Sequence, residues 1–182
     1  MAYSRSSLRD GSGLDPSRAM NVLCWNCLGI GNPWTVNGLK RVISLNIPDI
    51  IFLCETRCLK QDVERLKLQV NYKNVFVVDC DNNRNSDGKV SRAGGICLLW
   101  KEGVEVSLST FSKNHIDVMV GKAGARDKWR FSGVYGFSKV EERYKTWELL
   151  RRLGQSSGRP WLIGGDLNSE GNREGGRPPK MP

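Results

Sequence analysis

Five residues of this 182-residue chain have the types and settings that phosphate chemistry needs: Asn26, Glu55, Tyr135, Asp166 and Asn168. Asn26, Glu55 and the Asp166/Asn168 pair each stand where an apolar run stops, and Tyr135 ends a further run just before Gly136. Carboxylate and amide oxygens at strand ends are ligands for a hard cation such as Mg²⁺ or Mn²⁺. Basic residues around them would favour a phosphate. In an extended chain residues i and i+2 point to one side, so Asp166 and Asn168 are expected to face a common pocket. Gly164 and Gly165, lacking side chains, would let a ligand approach the backbone. The same stretch also reads as a strand closed by an Asx turn. Tyr135 reads equally as a donor to a phosphate oxygen or as a core aromatic.

The elements that would carry these residues follow from apolar spacing. Residues 20–25 form a strand ending on Asn26. Val36, Leu39, Val42 and Ile43 recur at helical spacing over 34–46, and Pro48 stops that helix. Residues 49–54 are a continuous apolar run of the kind buried on both faces of a sheet, ending in Glu55. A second helix carries Leu59, Val63, Leu66 and Val70 on one face, and 75–78 is the next strand. Residues 81–92, with the turn signal Asp87-Gly88, are expected as a surface loop between paired strands. Strands follow at 96–100, 104–108, 116–120 and 129–135. Ser138 and Glu141 suggest a capping box opening a helix with Val140, Tyr144, Trp147 and Leu150 as its apolar face. Residues 161–163 return to the sheet. The order predicts an α/β protein with a mixed sheet, in which ligand sites form at carboxyl ends of strands.

Composition narrows the class. Hydrophobic residues make up 39% and charged residues 26%, and no apolar run approaches the roughly 20 residues of a membrane span. Lys and Arg outnumber Asp and Glu by 28 to 19, a formal +9 that favours a polyanionic partner, nucleic acid first among them. Residues 1–19 are expected to be a disordered arm without a secretory signal, 20–170 the domain, and 171–182 a flexible tail. Cys24 and Cys27 form a C-x-x-C and Cys54 and Cys58 a C-x-x-x-C, which would suit zinc or a redox pair. Against this, Cys24 and Cys54 lie in apolar runs, where a thiol behaves as a small hydrophobe.

Several ordered segments resemble the endonuclease/exonuclease/phosphatase superfamily: Asn26 after a Trp-bearing strand, residues 51–56 ending Cys54-Glu55-Thr56, Gly133-Val134-Tyr135-Gly136, and Gly165-Asp166-Leu167-Asn168. Trp25-Asn26-Cys27-Leu28-Gly29, Ala93-Gly94-Gly95, His115-Ile116-Asp117-Val118 and 161–166 are most similar to the endonuclease region of plant LINE-type (non-LTR) retrotransposons. The resemblance covers about residues 20–177. It implies a four-layer α/β sandwich of the deoxyribonuclease-like type and Mg²⁺-dependent phosphodiester hydrolysis, a metal ion stabilising charge on the phosphate. It also implies roles: Glu55 a metal ligand with Asn26 assisting, Tyr135 touching the scissile phosphate, Asp166 orienting the attacking water, and Asn168 holding a phosphate oxygen.

Family members continue with further strands, another acidic metal-site residue and a Ser-Asp-His motif. The 182 residues supply none of these after Asn168, so the expectation is a C-terminally truncated domain with doubtful autonomous activity. The single histidine, His115, lies in a strand context and is expected to be structural. Two other readings stand beside the enzyme: a non-catalytic basic nucleic-acid-binding fragment, and a decayed retrotransposon reading frame. Nuclear action is implied only by the resemblance, since Arg151-Arg152 is too short for a targeting signal.

Overall fold

The computed structural model describes residues 19–84, 90–155 and 158–169. The expected arm (save Ala19), the tail and the Asp87-Gly88 turn lie outside the described residues. Among the described residues there are ten strands: β1 (Val22–Asn26), β2 (Ile50–Cys54), β3 (Asn74–Val78), β4 (Asp81–Arg84), β5 (Val90–Ala93), β6 (Ile96–Trp100), β7 (Val106–Ser112), β8 (His115–Val120), β9 (Trp129–Tyr135) and β10 (Trp161–Asp166). The helices are α1 (Pro33–Asn46), α2 (Lys60–Gln69) and α3 (Tyr144–Gly154).

All five residues of β2 are fully buried. Alternation sends Ile51 and Leu53 to one face, where Leu39 of α1 and Val63 and Leu66 of α2 cover them. Ile50, Phe52 and Cys54 go to the other face, against Ile116, Val118, Val120 and Phe131 of a second sheet. That sheet's outer face carries Val134, which packs with Leu149 and Leu153 of α3. The layers therefore run helices, sheet, sheet, helix. This is the four-layer sandwich expected, and the single mixed sheet read from element order is corrected to two. The first sheet has the order β1-β2-β6-β3 and the second β10-β9-β8-β7, with β4 and β5 forming a separate hairpin. A strand buried on both faces carries no periodicity that tells which layer covers it, which is why one sheet and two look alike in sequence.

Local signals hold where the backbone needs them. Asn32 caps α1 by accepting from the Trp34 N–H at 2.9 Å, and Ile47 closes it in a left-handed conformation just before Pro48. The Ser138/Glu141 box does not form: Val140–Glu142 make a 3₁₀ turn and α3 starts at Tyr144. The expected apolar face is also rotated, for Val140, Tyr144 and Trp147 are exposed, while Thr146, Leu149 and Leu153 are buried. Thr146 is buried because its hydroxyl accepts from the Phe137 N–H at 3.0 Å, a use that hydrophobicity does not register. The expected loop over 81–92 is in part paired strand, β4 against β5.

A buried polar network ties the second sheet to α3. Arg130 Nε donates to Asp117 Oδ1 at 2.8 Å, and its Nη1 donates to the Leu153 carbonyl at 2.6 Å. Ser132 donates to the same Asp117 oxygen and receives the Trp161 indole N–H at 2.8 Å. Each charge thus keeps a partner, as burial requires. Among the described residues no helix is long and apolar enough to cross a membrane.

Candidate active site

The five candidates converge, and they do so across the two sheets rather than along one rim. Asn26 ends β1 and Glu55 follows β2, which pair in parallel with Asn26 opposite Cys54. Tyr135 and Asp166 end β9 and β10, also parallel, and stand opposite each other in register. Two hydrogen bonds span the seam. The Tyr135 hydroxyl donates to Glu55 Oε1 at 2.7 Å, and Asn26 Nδ2 donates to Asp166 Oδ2 at 2.8 Å.

The glycines before Asp166 make this closure possible. A Cβ on Gly164 would lie 2.5 Å from Cys24 Sγ, and one on Gly165 would overlap the Val134 backbone. Gly164 thus admits the facing strand β1 and Gly165 the neighbouring strand β9, a packing role beside the expected one of admitting a ligand. Gly165 also has φ +133, open to glycine and strained for other residues.

Asp166 and Asn168 do not share a face as an extended pair. The strand stops at Asp166, Asn168 turns to φ +49, and its N–H donates to Asp166 Oδ1 at 3.0 Å. The Asx-turn reading describes this geometry. Asn168 Nδ2 then donates to the Gly136 carbonyl at 2.7 Å, fixing the amide beside the Tyr135 loop. Asn26 is likewise fixed at both ends, since its Oδ1 accepts from the Leu28 N–H at 3.2 Å. That pairing determines which end of the amide faces Asp166.

Sequence reading missed Arg57. Its Nη2 donates to Glu55 Oε2 at 3.1 Å, so the Glu55 carboxylate receives the phenol on one oxygen and a guanidinium on the other. A cation two residues beyond Glu55 was the available signal, but only the turn of the chain brings it back. Asn114 also belongs to the frame: its backbone carbonyl and its side-chain amide bond the backbone N–H and carbonyl of Tyr135, each at 2.8 Å.

Backbone strain gathers here. Four of the six described non-glycine residues with left-handed φ are Leu28, Glu55, Arg57 and Asn168. Such conformations persist only where surrounding structure imposes them, and they cluster at functional sites. Burial first, and then the Glu55 carboxylate that accepts its proton, push the Tyr135 phenol well up from its ordinary value. Tyr135 is therefore a hydrogen donor at any physiological pH.

His115 takes no part. It is 3% exposed, with Ser112 Oγ at 2.7 Å from Nδ1 and Thr110 Oγ1 at 3.1 Å from Nε2. The cysteine spacings also dissolve in three dimensions. Cys24 and Cys54 pack between the sheets while Cys27 and Cys58 pack under the helices, so neither pair converges on one ion. Burial pushes the thiols of Cys24 and Cys27 up to about 11 and that of Cys54 up to about 12, in keeping with small hydrophobes packed in the core.

A divalent cation fits this donor set in one way. Among the described residues no group of three or more His, Cys, Asp and Glu side chains could cage a metal ion. Mg²⁺ does not need a cage: it keeps several waters and takes one or two carboxylates together with substrate phosphate. Glu55 supplies a carboxylate of the type such an ion takes, with the Tyr135 hydroxyl on one oxygen and the Arg57 guanidinium on the other.

The chain belongs to the Endonuclease/Exonuclease/phosphatase family, which matches over residues 23–181. Nucleases of this family generally work with divalent metal ions. Among solved structures, the chain is similar to the human nocturnin catalytic domain with bound sulfate at 14% identity and TM-score 0.58, covering 83% of this chain and 65% of that one. It is similar to zebrafish (D. rerio) TDP2 complexed with a single-strand DNA product at 18% identity and TM-score 0.56, covering 84% and 62%. The endonuclease domain of TRAS1, a telomere-specific non-LTR retrotransposon, matches at 15% identity and TM-score 0.52, covering 83% and 61%. These identities speak to the fold. The chain spans about half to two thirds of the length of the solved structures it matches. No curated protein matches it by sequence.

Proposed function

We propose that the chain is the metal-binding half of a phosphodiester hydrolase acting on nucleic acid, DNA before RNA, of the kind found in plant LINE-type retrotransposons. The observation that carries this reading is the pair of hydrogen bonds across the seam, Tyr135 to Glu55 and Asn26 to Asp166. They hold a phenol, two carboxylates and an amide at the ends of four strands, and Asn168 adds a second amide through its bonds to Asp166 and Gly136. The net charge of +9 supports a polyanionic substrate.

In this reading Glu55 holds a divalent cation, Mg²⁺ or Mn²⁺, with Asn26 assisting through Asp166. Such a cation, when bound, neutralises charge developing on a phosphate. Tyr135, kept protonated, donates to a phosphate oxygen. Asp166, held by Asn26 and the Asn168 N–H, accepts a proton from the attacking water, and Asn168 steadies a phosphate oxygen. The one histidine is buried in β8, so no imidazole reaches the reacting phosphate, and cleavage by these 182 residues is proposed to be slow.

Nicking of supercoiled plasmid in Mg²⁺ tests this, with Glu55→Ala and Asp166→Ala beside the wild type. Slow nicking that EDTA and both substitutions abolish is the expected result. Nicking equal in all three proteins would overturn it. A second reading, a basic non-catalytic binder, is favoured by the buried histidine and the +9 charge. It predicts DNA affinity that falls steeply with salt and ignores EDTA.

A further inference from the structure

The guanidinium on Glu55 gives the site a cation of its own. Arg57 is anchored by its backbone, its N–H bonded to the Gly94 carbonyl at 2.9 Å. Its stem runs past Gly29, where a Cβ would lie 3.6 Å from Arg57 Cδ. The backbone φ of +51 directs the side chain back over Glu55. The Arg57 side chain is nonetheless 48% exposed, against 16% for that of Glu55. An ion pair open to water on its cationic side is weak and exchangeable. Guanidinium groups also match phosphate, to which they donate two parallel hydrogen bonds.

We infer that Arg57 is an exchangeable counter-ion that couples the binding of nucleic acid to the binding of metal. The inference rests on the reading of Glu55 as the metal ligand. In the free protein Arg57 neutralises Glu55 Oε2 and competes with a divalent cation for that oxygen. A backbone phosphate arriving at the site draws the guanidinium onto itself, and Glu55 is left with its full charge toward the cation. Each partner then strengthens the other, by the same factor in both directions, because binding linkage is reciprocal. Arg57 acts through Glu55 and is a positioning residue in this scheme.

Two measurements on the full chain test it. Mn²⁺ affinity is read by electron paramagnetic resonance without DNA. The affinity for a labelled phosphorothioate single strand, which resists cleavage, is read by anisotropy with and without Mn²⁺ at matched ionic strength. For the wild type, Mn²⁺ is expected to tighten DNA binding at least about 5-fold, the lower end for coupled sites. Arg57→Gln is expected to bind Mn²⁺ several-fold more tightly without DNA and to lose most of the coupling. Arg57→Lys, which keeps the charge, is expected to retain it, and thermal melts of both variants check that they fold.

Unchanged Mn²⁺ affinity and unchanged coupling in Arg57→Gln would overturn the inference, as would Arg57→Lys behaving like Arg57→Gln. Glu55→Gln separates this from failure of the underlying reading. If Glu55→Gln loses Mn²⁺ while Arg57→Gln changes nothing, only the coupling fails. If Glu55→Gln binds Mn²⁺ like the wild type, Glu55 is not the ligand and both fall.

Discussion

The Tyr135 phenol and the Glu55 carboxylate, 80 residues apart in the chain, meet at 2.7 Å across the seam between the two sheets. The bond joins the end of β9 to the residue after β2. Tyr135→Phe removes the donor without changing ring packing. It is expected to cost about 1 kcal/mol in urea melts, since the carboxylate keeps Arg57. Nicking should fall much further, by about 10²-fold, the usual effect of deleting one preorganised donor. A loss of stability with unchanged nicking would mean that Tyr135 is only a strut.

Gly164 tests the seam from the packing side. Gly164→Ala places a methyl group against Cys24 Sγ, 2.5 Å away. Overpacking of this kind costs about 1–3 kcal/mol. Adding Cys24→Ala removes the obstructing sulfur and should recover most of the loss in a double-mutant cycle. Additive losses would show that the strain is borne elsewhere.

Arg130 and Asp117 form an ion pair with side chains 4% and 2% exposed. Arg130→Met leaves the Asp117 carboxylate buried with only the Ser132 hydroxyl, and the expected loss is about 3–5 kcal/mol. Arg130→Met with Asp117→Asn removes the stranded charge and should regain part of it. Chemical denaturation of the three proteins at pH 7 measures both effects.

His115 should give stability a pH dependence. Burial is the largest influence on it and lowers its pKa from 6.5; Arg152 and Arg130 push the same way, and Asp117 opposes them. The unfolded chain therefore takes up the proton at a higher pH than the folded one. The stability contributed is complete above about 6.5 and is lost as the pH falls through the folded value. Thermal midpoints of the wild type between pH 8 and pH 5 should decline with a steeper slope than those of His115→Gln. Parallel curves would show that other groups titrate there.

The sequence made some levels of this molecule plain and hid others, for physical reasons. Asn26, Glu55 and Asp166 could be read because each interrupts an apolar run, and a polar residue at a strand end needs a solvent-facing explanation. Arg57 was hidden because its reach depends on a left-handed backbone at positions 55 and 57, which neither residue type announces. The face of α3 was misjudged because Trp147 and Tyr144 outweigh Thr146 on any hydrophobicity scale, yet Thr146 bonds Phe137 and is buried. For Asn168 the sequence allows both an extended pair and an Asx turn, and its bond to Asp166 selects the turn through the local competition between side chain and backbone that Asn favours.

The strands of the first sheet lie within residues 22–100 and those of the second within 106–166, so the site as a whole is not complete within either half of the chain. Asn26 waits for a partner 140 residues downstream. During synthesis the first sheet can collapse onto α1 and α2 well before Asp166 has been made. Contacts this distant in sequence close late, after the entropy of the intervening loop has been overcome. The cluster of Glu55, Tyr135, Asn26 and Asp166 is thus a record of completed folding: any intermediate that stops at one sheet carries half of the side chains and neither of the bonds that cross the seam.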